Sequence, residues 1–183
     1  YSLRKLGGIT LRTNLDPLAQ IWENRPSLPA NPVEIQPLEY AGETLASKVA
    51  RIRKALRELH ADGMLVSALD DIAWTLNLRG TDVHCNPVFV SYLLIESGKV
   101  SLFVDDNKLS PEVKQYLQDN QVSLYNYNKV EKCLESYSEY NILLDGNETS
   151  YYLWKAVKCQ EIVAAGSPIP AMKAVKNKAE IEG

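Results

Sequence analysis

Apolar residues recur at steps of four and three in the segment that follows residue 43. This spacing predicts an amphipathic helix that begins near Glu43 and turns one apolar face towards a core. The apolar positions are Leu45, Val49, Ile52, Leu56 and Leu59. Asp62 and Gly63 end the helical pattern, and residues 64–66 are predicted to form a short buried strand. The basic residues between positions 48 and 57 fall at helical spacing, which predicts a solvated helix face.

The next apolar run, at residues 88–95, is almost continuous and rich in β-forming residues. Such a run predicts a central strand covered on both faces. Residues 96–99 then predict a tight turn, and residues 100–104 a hairpin partner. Ser110, Pro111 and Glu112 predict a helix start, because a hydroxyl can cap the helix, proline suits its first position and an acid favours its positive end.

Shorter segments complete the pattern. Strands are predicted at residues 122–125, 141–144 and 161–164. Helices are predicted near residues 129–137, and from Thr149 or Ser150 to residue 157. Strands separated by helices, with one hairpin, predict an α/β domain with a mixed β-sheet flanked by helices.

The chain is predicted to contain three parts. Residues 1–36 lack a sustained period, and we interpret them as the tail of a preceding domain with a short strand at residues 7–11, followed by a proline-rich connector. Residues 37–172 form the main domain. In residues 173–183, Asn177 and Glu180 form a capping-box pattern, which predicts a helix that continues into a further domain.

Composition excludes several classes of function. The 183 residues carry a net charge of −3, which argues against a surface for nucleic acid. No apolar run is long enough to span a membrane, and no signal peptide opens the sequence. Three scattered cysteines do not predict a disulfide framework. We therefore expect a cytoplasmic protein without a nucleic-acid or membrane partner.

The stretch between residues 70 and 89 is rich in groups capable of chemistry. Asp70 and Asp71 can share a proton or bind a metal ion, but they precede an apolar segment. We therefore expect one carboxylate to cap a helix and the other to favour its positive end. Trp74 is expected in the core or at a domain interface.

The following loop is expected to be a scaffold. Arg79 and Asp82 flank a glycine and are expected to form a bidentate pair that fixes the loop, which leads through Asn86 into the strand. The loop can also contact a peptide or a neighbouring domain. His84 and Cys85 are adjacent, which is poor geometry for a zinc site or a nucleophile–base pair. No catalytic constellation is recognisable from residue chemistry.

Several motifs, in this order, resemble the middle domain of three-domain Xaa-Pro aminopeptidases. They are IW and RP at residues 21–26, ALDDIAW at 68–74, NLRG at 77–80, Asp82, NPVF at 86–89 with Ser91 and Tyr92, and KAVKN at 173–177 with Glu180. The resemblance implies a creatinase/prolidase N-terminal domain-like fold. In that family a separate catalytic domain holds two divalent ions, commonly manganese, with two Asp, a His and two Glu, and cleaves before a penultimate proline.

None of those catalytic residues falls on this sequence. The resemblance therefore implies a non-catalytic middle domain, inactive alone, that contacts the catalytic domain of the same chain within a cytosolic homodimer. One loop is expected to gate substrates or form a domain interface, through Arg79, Asp82, His84 and Asn86. A structural role is expected for Asp70, Asp71, Trp74 and Asn177. The alternative is a peptide- or protein-binding module of a catalytically inactive peptidase-like protein.

Overall fold

The computed structural model of the protein describes residues 15–18 and 21–182, so the strand predicted at residues 7–11 lies outside the described residues. The strands are β1 (Glu34–Ile35), β2 (Gly63–Val66), β3 (Leu78–Arg79), β4 (Ser91–Glu96), β5 (Val100–Val104), β6 (Val122–Asn126), β7 (Tyr137–Leu144) and β8 (Cys159–Val163). The helices are α1 (Leu38–Ala41), α2 (Leu45–Glu58), α3 (Leu69–Leu76), α4 (Pro111–Asp119), α5 (Val130–Leu134), α6 (Tyr151–Ala156), α7 (Ile169–Ala174) and α8 (Lys178–Glu182). No helix in these ranges is both long and apolar enough to cross a membrane.

A six-stranded mixed sheet forms the centre of the fold, with the strand order β6–β5–β4–β2–β7–β8. Strand β4 is antiparallel to both β2 and β5, whereas the pairs β5–β6, β2–β7 and β7–β8 are parallel. Strands β1 and β3 form a separate antiparallel pair. The predicted α/β fold with a mixed sheet flanked by helices is confirmed, and so is the predicted hairpin of β4 and β5.

The central strands of the sheet are buried on both faces, and their alternate residues enter two separate apolar clusters. On β4, Leu93 and Ile95 pack in the larger cluster with residues of α2, α3 and α4, whereas Leu94 packs in the smaller cluster with residues of α5 and α6. Phe103 on β5 also enters the smaller cluster, and its neighbours on the strand enter the larger one. Successive strand residues point to opposite faces, so a continuous apolar run serves two cores.

Helix α2 follows the predicted apolar stripe but differs from it at the C-terminal end. Thr44 caps the start, where its Oγ1 accepts a hydrogen bond from the Ser47 backbone N–H at 3.2 Å. The helix has ended by His60, whose φ is 57°. Leu59 is consequently 38% exposed, and its predicted place in the buried stripe is wrong.

Two other predicted helix starts are confirmed by side-chain caps. The Ser110 hydroxyl accepts a hydrogen bond from the Val113 N–H at 3.2 Å, and the Ser150 hydroxyl accepts one from the Leu153 N–H at 3.3 Å. Both caps satisfy a backbone donor that has no partner within its own helix.

Two predicted boundaries are wrong. The strand predicted over residues 88–95 begins only at Ser91. Val88 and Phe89 are buried ahead of it, and the Val88 carbonyl accepts a hydrogen bond from the Asp82 N–H at 3.1 Å across the preceding loop. Tyr137, predicted within a helix, is instead the first residue of β7.

Leu93→Ala and Leu94→Ala are expected to destabilise the protein to similar extents, by about 2–5 kcal/mol each. Both leucines are 0% exposed, and they lie on opposite faces of the sheet. Leu38→Ala is the control, because Leu38 is 54% exposed; its expected effect is within about 0.5 kcal/mol. Urea unfolding followed by circular dichroism measures all three variants. A small effect of either buried leucine would contradict a sheet covered on both faces.

Candidate domain-interface site

Asp70 and Asp71 lie in the first turn of helix α3, where Lys173 of helix α7 approaches them. The Lys173 ammonium donates hydrogen bonds to the Asp70 carboxylate and, at 2.8 Å, to Asp71 Oδ1. The N-cap residue is Ala68, and no side chain caps the helix. The predicted cap is therefore wrong, whereas the predicted placement of a carboxylate at the positive end of the helix is confirmed. The two carboxylates also join α3 to α7.

Burial and the charge of Lys173 act in opposite directions on these carboxylates. Burial raises the pKa of Asp71, whose side chain is 3% exposed, in spite of its hydrogen bond with Lys173. Burial also acts to raise the pKa of Asp70, but the hydrogen bond and charge of Lys173, together with backbone hydrogen bonds, outweigh it and hold that pKa below its usual value. Burial acts to lower the pKa of Lys173, and the two carboxylates raise it above the usual value. Lys173 therefore stays protonated at neutral pH.

Helix α8 begins with the predicted capping box, which is confirmed. Asn177 Oδ1 accepts a hydrogen bond from the Glu180 N–H, and Glu180 Oε2 accepts one from the Asn177 N–H, both at 3.0 Å. The other oxygen of that carboxylate, Oε1, accepts a hydrogen bond from the Trp74 indole N–H at 3.2 Å. Glu180 therefore caps its own helix and binds α3 at the same time. Trp74 is buried in the larger apolar cluster, which confirms the first of its two expected positions, the core.

Asn177 has a second attachment, to the turn between α1 and α2. Its Nδ2 donates a hydrogen bond to the Ala41 carbonyl at 2.9 Å. Gly42 follows with a φ of 66°, and a Cβ at this position would lie 2.1 Å from Asn177 Oδ1. Glycine thus supplies both the left-handed backbone and the space that Asn177 occupies. We use the term junction clasp for Asp70, Asp71, Trp74, Lys173, Asn177 and Glu180.

Lys48 lies beneath the junction clasp. It is 1% exposed, and its ammonium donates hydrogen bonds to the Trp74 carbonyl at 2.9 Å and to Asn77 Oδ1 at 2.6 Å. The predicted solvated basic face is confirmed for residues 51, 54 and 57, but it is wrong for Lys48. The available signal was the position of Lys48 three residues after Leu45 and four before Ile52, which places it within the apolar stripe.

The predicted ion pair between Arg79 and Asp82 is wrong. Arg79 Nη1 donates hydrogen bonds to the carbonyls of Ala73, at 3.1 Å, and Leu78, at 2.8 Å. Burial lowers the pKa of Arg79, and the charge of Glu180 acts to raise it. Arg79 therefore stabilises the end of α3 from the base of the loop, near the junction clasp.

Asp82 anchors the loop through a different cation, Lys108. Their side chains are 0% and 2% exposed, and Lys108 Nζ donates to Asp82 Oδ2 at 2.6 Å. The same carboxylate accepts hydrogen bonds from the backbone N–H groups of Val90, at 2.7 Å, and Asn31, at 3.3 Å. The Val33 N–H donates to the Lys108 carbonyl at 2.9 Å. The ion pair thus fastens the loop to the connector that precedes β1.

The tip of this loop, residues 83–86, is exposed. Cys85 has a φ of 60°, and Val83 and Asn86 bridge the tip. A shallow depression of about 390 Å³ is lined by residues 80–81 and 83–87. The structure therefore separates the four loop residues singled out in the sequence. Arg79 and Asp82 support the base, whereas His84 and Asn86 offer an exposed surface.

A mixed sheet with helices packed on both of its faces is the architecture of this chain. Residues 24–180 match the Creatinase/Prolidase N-terminal domain family, and the chain belongs to that family. The expected creatinase/prolidase N-terminal domain-like fold is thereby confirmed.

Similar curated proteins are Xaa-Pro aminopeptidases. The chain is 35% identical to a probable Xaa-Pro aminopeptidase P of Arthroderma benhamiae, over 100% of this chain and 28% of the relative. It is 36% identical to the probable Xaa-Pro aminopeptidase P of Leptosphaeria maculans, over 99% of this chain and 32% of the relative. The chain therefore spans less than a third of the length of these relatives. The resemblance to Xaa-Pro aminopeptidases found in the motifs is confirmed.

Solved structures agree. The X-prolyl aminopeptidase of Caenorhabditis elegans, a cytosolic enzyme with a di-nuclear active site, matches with a TM-score of 0.84 and 26% identity, over 90% of this chain and 28% of that one. An Xaa-Pro aminopeptidase structure from Streptococcus thermophilus matches with a TM-score of 0.53 and 12% identity, over 70% of this chain and 98% of that one. The second similarity shows the fold alone.

Gly42→Ala is expected to destabilise the protein by about 1–3 kcal/mol and to release the segment around Asn177. The added Cβ overlaps Asn177 Oδ1 and the φ of 66° is strained for alanine. Urea unfolding measures the loss, and tryptic cleavage after Lys176 and Lys178 measures the release.

Gly98→Ala is the matched control, since a Cβ there meets nothing within 4 Å. Asn177→Ala alone loses the hydrogen bonds of this side chain to Ala41 and Glu180. Gly42→Ala is therefore expected to cost less in an Asn177→Ala background than in the native chain, because the overlap is absent there and only the backbone strain remains. Native behaviour of Gly42→Ala in both measurements would show that Asn177 does not occupy this position.

Proposed function

We propose that this chain is the non-catalytic middle domain of a longer, metal-dependent Xaa-Pro aminopeptidase. Its roles are to orient a catalytic domain of the same polypeptide and to limit which peptides reach that domain. The junction clasp is the observation that carries the proposal. Three separate polar attachments hold the α7–α8 segment: Lys173 of α7 and Glu180 of α8 bind α3, and Asn177 binds the Ala41 carbonyl at the end of α1. A rigid exit direction is what an architectural domain requires.

The described residues do not fit the two-metal site of the family. Across residues 15–18 and 21–182, no three His, Cys, Asp or Glu side chains stand close enough together to hold a metal ion. In this proposal, the two divalent ions, commonly manganese in the family, belong to the catalytic domain, where they supply a hydroxide for peptide cleavage. No step of the cleavage is assigned to this chain. The proposed partners are that domain, a second copy of the polypeptide and peptides with a penultimate proline, in the cytoplasm.

The loop from Arg79 to Asn86 supports the proposed gating role. Its base is held by the buried Asp82–Lys108 ion pair, and breaking such a pair would leave an uncompensated charge in the interior. Its tip exposes His84 and Asn86 beside the shallow depression. A fixed base with an exposed polar tip suits a surface that contacts an incoming peptide or a neighbouring domain.

The 183-residue chain alone is expected to release no amino acid from an Xaa-Pro peptide, whereas the longer polypeptide is expected to release it only with manganese or a similar ion. Liberated amino acid is measured with and without a chelator. Release by the chain alone would contradict a non-catalytic domain. A longer polypeptide that binds no metal and has no activity would instead favour the peptide- or protein-binding alternative.

His84→Ala and Asn86→Ala, introduced into the longer polypeptide, test the gate. Each is expected to change kcat/KM for long peptides by about threefold or more relative to a tripeptide, because the tip contacts only the longer substrates. Asn147→Ala is the control, since Asn147 is exposed on a different loop. An equal change for both peptide lengths, or no change with unaltered stability, would exclude gating by this loop.

A further inference from the structure

Trp74 lies between a cation and an anion that, within the described ranges, form no direct ion pair. The Lys48 ammonium is 4.3 Å from the centre of the indole ring, and the Glu180 carboxylate accepts the indole N–H at 3.2 Å. The face of an aromatic ring carries partial negative charge and its edge partial positive charge. One indole therefore binds the buried cation of α2 with its face and the anion of α8 with its edge.

We propose that the charge on Lys48 holds helix α8 in its docked position through Trp74, so that α8 is a latch that loosens when Lys48 loses its proton. The direct hydrogen-bond acceptors of Lys48, the Trp74 carbonyl and Asn77 Oδ1, are both neutral. Its charge is therefore balanced only from a distance. Glu180 is the carboxylate that departs when α8 leaves the domain.

The charged groups around Lys48 come from several elements. Burial lowers the pKa of Lys48 to about 8, while Glu180 on α8 and Glu43 before α2 act to raise it, and Arg79 on β3 and Arg51 on α2 act to lower it. Of the two carboxylates, Glu180 has the larger effect.

Helix α4 contributes Tyr116, whose hydroxyl donates a hydrogen bond to the Leu76 carbonyl at 3.1 Å. Burial raises the pKa of Tyr116 above its usual value of 10.0, so this hydroxyl stays neutral where Lys48 titrates. Lys48 is consequently the group in this cluster whose charge changes near pH 8.

The direction of the pH effect follows from which state binds the proton more tightly. When α8 is docked, Glu180 acts to raise the pKa of Lys48. Release of α8 removes that attraction, whereas the hydrogen bonds to the Trp74 carbonyl and Asn77 Oδ1 keep Lys48 buried between α2 and α3, so its pKa is expected to be lower in the released state. Docking is thus fully favoured below the pKa of the released state, and it weakens as pH rises through about 8.

The contribution of Lys48 to the pH dependence of global unfolding has the opposite sign to its contribution to α8 docking. In the unfolded chain Lys48 has its usual pKa of 10.5, so its contribution to the free energy of unfolding increases as pH rises from about 8 towards 10.5. Alkaline pH is therefore expected to loosen α8 while this same group stabilises the fold. A general loss of structure cannot produce that combination.

The size of the effect is set by reciprocity. Any factor by which docking strengthens proton binding to Lys48 is the factor by which protonation strengthens docking. If loss of the Glu180 charge lowers the midpoint by about half a pH unit, deprotonation weakens docking about threefold.

NMR spectra of the 183-residue chain, recorded from about pH 6.5 to about pH 9.5, test the latch. The Trp74 indole N–H resonance reports Lys48, and the Cα shifts of residues 178–182 report helix α8. Both are expected to titrate with a common midpoint near pH 8. Glu180→Gln keeps an acceptor for the indole but removes the charge, and it is expected to lower the midpoint of the Trp74 signal. Lys48→Met is expected to abolish both titrations.

Two matched variants serve as controls. Glu182→Gln changes an exposed carboxylate of the same helix, and Lys54→Met changes an exposed lysine of α2; both are expected to keep the native midpoint. Cα shifts of α8 that stay constant through the Trp74 titration would overturn the proposal, and so would an unchanged midpoint in Glu180→Gln. Glu180→Gln tests the proposed latch even if Lys48→Met does not fold. The latch requires no partner domain, so it stands or falls separately from the proposed aminopeptidase role.

Discussion

The buried charge of Lys48 is the constraint on which the arrangement of this domain depends. An ammonium group inside a protein must be surrounded by polar atoms, because its transfer from water otherwise costs several kcal/mol or more. Here the C-terminal end of α3 provides the Trp74 carbonyl and Asn77 Oδ1, where the helix dipole also favours a cation. This requirement fixes α2 against α3. It thereby sets the positions from which Asp70, Asp71 and Trp74 bind the α7–α8 segment.

Local interactions were predictable from the sequence, whereas distant partners were not. The caps at Ser110 and Ser150 and the capping box at Asn177 join residues three positions apart, so both partners lie within one short stretch of sequence. Lys173 and Asp71 are 102 positions apart, and Lys108 and Asp82 are 26 apart. The local pattern therefore favoured a capping role for Asp71 and an ion pair with Arg79 for Asp82. In the structure each carboxylate is instead bound by a lysine from a distant part of the chain.

The same distinction explains how much of the fold was predictable. The long helix α2 and the buried strands have enough residues to show a period, so the α/β class and the mixed sheet were correct. Strands β1 and β3 have two residues each, and helix α1 has four, which is too short to show any period. Lys48 was misassigned although it lies in a long, clearly periodic helix. Its spacing placed it in the apolar stripe, but its charge led to the prediction that it is exposed.

The order of strands also has a kinetic consequence. The hairpin of β4 and β5 joins residues close in sequence, whereas β2 pairs with β7 through contacts such as Gly63 with Ile142. Contacts between distant residues form slowly, because a long loop must first be closed. During synthesis, β2 through β6 can assemble while β2 still has one open edge, and that edge stays unpaired until β7 has left the ribosome. The interval between these events is the period in which the nascent domain is most exposed to aggregation.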